Sequence, residues 1–125
     1  MNRRIALAVL GLLVLAGLAA AQSKSGESEP RTRPEISATR EAQIRRGKQV
    51  YDVYCGICHH PASSEKKIGP GLKGIYKRGK FEDGKKVDDQ TMRAWIEKGG
   101  KDMPAFEETL SREEITALLA YLRTL

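Results

Sequence analysis

The chain has 125 residues and a formal net charge of +6, with 40% of its residues hydrophobic and 30% charged. Once its two terminal segments are set aside, that length leaves room for one small domain with one core. A domain of this size buries a modest share of its surface and commonly needs a disulfide, metal or cofactor to be stable.

Met1–Asn2–Arg3–Arg4 is a short basic start, Ile5 to Leu18 is apolar apart from two glycines, and Ala19–Ala20–Ala21 precedes Gln22. That order predicts a secretory signal peptide over residues 1–21, cut at an A-x-A site. The apolar run is short of the roughly 20 residues of a membrane span; an uncleaved, tilted anchor is the alternative. No cysteine follows the run directly, which excludes a lipid-anchored cysteine. Residues 22–39 are rich in Ser, Gly, Glu, Lys, Arg and Pro, with Ile36 as the one sizeable apolar residue, and predict a flexible linker. The remaining domain, residues 40–125, carries its charge unevenly. Lys66, Lys67, Lys73, Lys77, Arg78, Lys80, Lys85 and Lys86 face only Glu65, Glu82 and Asp83, whereas residues 88–125 are net acidic. The Lys-rich 66–86 loop is thus either a solvated loop or a docking face for an acidic partner. Nucleic acid is not expected as a partner of an exported protein.

Three main helices are expected. The first runs from about Thr39 to Tyr54, with Ile44, Gly47, Tyr51 and Tyr54 on one face. Gly47 costs about 1 kcal/mol relative to Ala inside a helix, which makes sense if another helix must approach its backbone. The middle helix runs from Asp88 or Asp89, acids suited to its positive end, to Lys98, with Gly99 ending it and Met92, Trp95 and Ile96 on its buried face. The last opens with a Ser111-x-x-Glu114 capping box and carries Ile115, Leu118, Leu119 and Leu122 as a stripe. Residues 61–87 form a long loop, rich in Gly and Lys, of the kind that wraps around something.

At the end of the first helix stands Cys55–Gly56–Ile57–Cys58–His59, the C-x-x-C-H haem attachment signature. Cysteines three apart can reach the two vinyl groups of one porphyrin edge and form thioethers, and the next residue can present an imidazole to the iron. Both cysteines of the chain are used. A C-x-x-C in an oxidising compartment could instead be a disulfide or a thioredoxin-like redox pair, but the βαβ setting of the thioredoxin-like fold is missing. A zinc site of Cys55, Cys58, His59 and His60 would crowd its ligands where structural zinc draws on two separated pairs. His60 is one position out of register and precedes Pro61, which suits a surface role.

A haem iron has a second axial position, whose ligand decides between electron transfer and ligand chemistry. Of the three methionines, Met1 leaves with the signal peptide, and Met92 shares an apolar helix face with Trp95 and Ile96. Met103 lies in the charged loop Lys101–Asp102–Met103–Pro104, where Pro104 biases it to an extended conformation. It is the favoured second ligand.

Taken in order, these parts resemble a class I bacterial c-type cytochrome, a mono-haem cytochrome c, over essentially Arg40 to Leu125. The set comprises a helix with Gly47 and Tyr51, Cys55-x-x-Cys58-His59, Gly69–Pro70–Gly71–Leu72, Trp95 before Gly99–Gly100, Met103–Pro104, and a helix ending Tyr121–Leu122. The resemblance implies an all-α small cytochrome c fold, with three main helices and long loops around one covalent haem c and its iron. It implies thioethers at Cys55 and Cys58, with His59 and Met103 as metal ligands. It further implies that the Pro70 carbonyl accepts the other ring N–H of His59, and that Trp95 and Tyr76 contact the haem or its propionates. Gly47 and Tyr51 would cross Leu118, Tyr121 and Leu122.

The expected function is a periplasmic or otherwise exported carrier of single electrons between redox protein donors and acceptors, not an enzyme. A membrane contact is expected only if the N-terminal segment stays uncleaved, as in a tethered subunit of a membrane complex. A haem enzyme or gas sensor is the competing class and would need an open sixth position, against which Met103 argues.

Overall fold

The computed structural model describes residues 32–125. The signal peptide expected at 1–21 and the first part of the expected linker lie outside the described residues. Four α-helices follow in order: α1 Arg33–Val50, α2 Ile75–Arg78, α3 Asp89–Lys98 and α4 Arg112–Leu122. Among the described residues there is no strand, and Lys80 and Lys86 make one isolated antiparallel bridge. The all-α expectation holds.

Helix α1 starts earlier than the Thr39 expected, so residues 33–39 are helical rather than irregular linker. A start signal is present at Thr32. The Glu35 carboxylate accepts from the Thr32 N–H at 2.8 Å and from its hydroxyl at 2.9 Å, and Pro34 sits in the first turn. This first part is exposed throughout; Gly47 and Val50 are the buried residues of the helix. A polar helical segment has no apolar period to reveal it.

The other long helices form where their caps dictate. In α3 the Asp88 carboxylate accepts from Thr91 N–H at 2.9 Å, and Gly99 ends the helix in the left-handed region at φ 67°. In α4 the Ser111 hydroxyl accepts from Glu114 N–H at 3.2 Å, while the Glu114 carboxylate accepts from Ser111 N–H at 3.1 Å. The expected stripe of Ile115, Leu118, Leu119 and Leu122 is buried, with Leu118 wholly inaccessible.

α1 crosses α4, and the contact is close. A Cβ on Gly47 would overlap the carbonyl of Ala117, so the absent side chain is what lets the two backbones meet. Beside this point the rings of Tyr51 and Tyr121 lie 5.4 Å apart, and Arg46 pairs with Glu114 at 2.7 Å. The crossing anchors the end of α1, where the chain turns into the Cys-containing segment.

Candidate functional site

α1 does not simply stop. Residues Tyr51–Cys55 form a π-helical turn, in which Gly56 N–H reaches back to Tyr51 O at 2.8 Å. Such single turns are rare and frequent at functional sites. The chain then tightens, with both Cys58 N–H (3.0 Å) and His59 N–H (2.9 Å) donating to Cys55 O. The two cysteines and the histidine thereby share one rigid corner.

A second segment is stitched onto that corner. Gly69 N–H donates to Cys58 O at 2.9 Å and Leu72 N–H to His60 O at 2.8 Å. Between them, His59 Nδ1 lies 2.8 Å from Pro70 O. A carbonyl can only accept, so Nδ1 carries the proton and Nε2 keeps its lone pair for a metal. Gly69 packs against the face of the same ring, where a Cβ would overlap the imidazole. The Arg78 guanidinium donates to Gly71 O at 2.7 Å, bracing the segment from the far side.

Cys55, Cys58, His59, Pro70, Trp95 and Met103 all line one cavity of about 400 Å³. Trp95 stacks on Phe81 with centroids 5.9 Å apart, and the Lys85 ammonium sits 5.4 Å from the Trp95 ring. Met103 is half-buried in its loop, where its carbonyl accepts from Gly100 N–H at 2.9 Å. Met92 also borders the cavity, from within the core at 5% exposure.

Tyr76 is the exception among the expected residues, because it does not line the cavity. Its hydroxyl donates to Asp89 at 3.0 Å and the Arg123 guanidinium lies 5.8 Å from its ring. The one-turn helix α2 puts Ile75 into the core and turns Tyr76 toward α3 and the C-terminal residues. Arg78 and Phe81 line the cavity instead and were missed. Arg78 stands in a run of cations, where nothing in the sequence sets it apart.

The donor set and lining fit a c-type haem. Two sulfurs and an imidazole stand on one corner, a thioether borders the same space, and the walls are mostly apolar. Burial first, then the neighbouring Cys58, pushes the Cys55 thiol up to about 11. This position thus favours an uncharged sulfur, and a thioether meets that requirement.

The family model described as cytochrome C oxidase, cbb3-type, subunit III matches residues 42–122. No curated protein matches the chain significantly.

Proposed function

The chain belongs to this c-type cytochrome family and works by haem-based electron transfer, and from that premise we propose that it is an exported mono-haem carrier with His59 and Met103 as axial ligands. The observation that carries the proposal is that Cys55, Cys58, His59 and Met103 border a single apolar cavity. When bound, haem c supplies a one-electron iron couple. Cys55 and Cys58 would hold it covalently, and the Pro70 carbonyl would keep the proton of His59 on Nδ1, leaving Nε2 to bind the iron. The Met103 thioether favours reduced iron and raises the potential relative to a second imidazole. With His59 and Met103 both bound to the iron, the site would carry electrons and leave no position open for a substrate.

Residues 1–21 act as a cleaved signal peptide and residues 40–125 as the cytochrome domain, with the segment between them as a tether that becomes helical from Arg33. The redox partner docks against the Lys-rich 66–86 loop at the cavity rim. Lys66, Arg78 and Lys80 border the opening, and Ile57 and Ile68, at 65% and 59% exposure, offer apolar contact beside Cys58.

The family description favours a second reading, in which the domain is an electron-transferring subunit of a terminal oxidase. Among the described residues no helix is long and apolar enough to cross a membrane. Oxidised and reduced visible spectra with a pyridine haemochrome assay test the main proposal. One covalent haem c with a sulfur-to-iron band in the oxidised protein supports it, and a high-spin spectrum overturns the axial assignment. Co-purification with an oxidase from solubilised membranes would favour the second reading.

A further inference from the structure

Three successive carbonyls at the haem-attachment corner are held in different ways. Those of Cys58 and His60 accept backbone N–H groups, from Gly69 at 2.9 Å and from Leu72 at 2.8 Å. The carbonyl of His59 between them is held by a side chain: the Tyr51 hydroxyl donates to it at 2.8 Å. Tyr51 is 1% exposed, so its hydroxyl is shielded from water and its one hydrogen-bond acceptor is the His59 carbonyl. The π-helical turn begins at Tyr51, and the ring beneath the hydroxyl packs on Tyr121 of α4. A phenylalanine would fill the same apolar space, so packing does not account for the hydroxyl.

We propose that Tyr51 is a positioning residue for His59, clamping its backbone so that the imidazole keeps one orientation in both oxidation states. The inference rests on His59 being an axial ligand. Two groups then fix that residue: Pro70 at the ring and Tyr51 at the backbone. Because Tyr51 also lies in the α1–α4 crossing, helix packing is tied directly to the metal ligand. With the clamp removed, the ring rocks against Pro70 and its Nδ1–H bond weakens. A weaker bond lowers the basicity of the ligand, which shifts the reduction potential upward.

The test uses haem-loaded wild type, Tyr51→Phe and Tyr121→Phe, with nitrogen-labelled histidine followed by NMR in the reduced protein. Wild type must first show an iron-bound imidazole; if it does not, the axial assignment fails independently of the clamp. Tyr51→Phe is expected to speed exchange of the His59 Nδ1 proton about two- to thirteenfold, the range set by losing one neutral hydrogen bond. It is also expected to raise the potential. Tyr121→Phe, which removes a hydroxyl from the other side of the same ring contact, should change neither. Equal exchange and potential in all three proteins would overturn the proposal. Should Tyr51→Phe fail to mature, the Tyr51 hydroxyl proton of wild type supplies the answer. Slow exchange relative to the exposed Tyr54 supports the clamp, and exchange as fast as Tyr54 rejects it.

Discussion

The Nδ1 of His59 lies 2.8 Å from the carbonyl oxygen of Pro70. Proline has no backbone N–H, so at this position the chain offers the imidazole an acceptor and no competing donor. The bond fixes a tautomer and, with the Gly69 backbone against the ring, an orientation.

Gly69→Ala is expected to disturb this arrangement more than its size suggests. The added methyl would overlap the His59 ring, and both the ring and the Gly69 backbone are held by hydrogen bonds to their neighbours. Overpacking of this kind costs about 1–3 kcal/mol. The expected results are a lower yield of haem-loaded protein and a shifted visible spectrum, read beside a urea unfolding curve. A variant with wild-type spectrum and stability would show that the segment yields freely.

At Gly47 two effects oppose each other. Alanine improves helix propensity by about 1 kcal/mol, yet its Cβ would overlap the Ala117 carbonyl, which is backbone and cannot rotate away. The clash should win, leaving Gly47→Ala destabilised by about 1–3 kcal/mol in urea. A gain in stability would mean that α1 and α4 can separate cheaply.

The cofactor is expected to be structural as well as functional. Emptying a cavity of about 400 Å³ costs up to roughly 10 kcal/mol at about 24 cal/mol per Å³ if the walls cannot collapse. That is comparable with the whole stability of a small domain. Cys55→Ser with Cys58→Ser should therefore lack covalent haem and lose cooperative unfolding by circular dichroism. Native-like helicity with a sharp transition would refute the structural part.

What was legible beforehand had a pattern behind it. α4 announced itself by Ser111, Glu114 and a four-residue apolar stripe, and α3 by Asp88 and Gly99. The cysteine–histidine corner shows in its C-x-x-C-H spacing, and the role of Pro70 follows from the family resemblance. The direction of the Tyr76 ring, away from the cavity lining, has no sequence signal because one helical turn is too short to show a period. The two glycines flanking that turn, Gly74 and Gly79, take φ of 65° and 70°; they set it off sharply without betraying it. The early start of α1 had a readable signal in Thr32, Pro34 and Glu35, but no apolar face followed to support it. The π-helical turn at Tyr51–Cys55 differs from an α-turn by one hydrogen-bond step, and composition carries no trace of that.

Acid sensitivity should be centred on the helix caps. Hydrogen bonds from Ser111, followed by the Arg46 ion pair, hold the Glu114 carboxyl below its usual value, and the Thr91 N–H does the same for Asp88. A carboxyl whose folded value is depressed stabilises the fold above its unfolded value, and that contribution is lost as pH falls through the folded one. The thermal midpoint should therefore fall below about pH 4, the range of free carboxyl groups. Glu114→Gln should make that fall shallower, as seen in melting curves taken across acid pH. An unchanged slope would mean that this cap is already broken in solution.

Met103 carries the sharpest test, because it separates a closed electron carrier from an open haem enzyme or sensor. Met103 and Met92 both border the cavity, but Met92 is 5% exposed inside the core, whereas Met103 is half-buried in a loop at the core's edge. If Met103 is the ligand proposed here, Met103→Ala removes it and leaves water as a weak replacement. The reduced variant should bind carbon monoxide rapidly where wild type resists, and its potential should fall because the thioether no longer favours reduced iron. Met92→Ala should cost about 2–5 kcal/mol of packing and leave the ligation spectrum unchanged. Carbon monoxide titration of the three reduced proteins, followed by visible absorption, distinguishes the outcomes. Ready binding by wild type would replace the carrier with an open-site protein. Opening by Met92→Ala alone would move the ligand from the loop to α3 while keeping the fold.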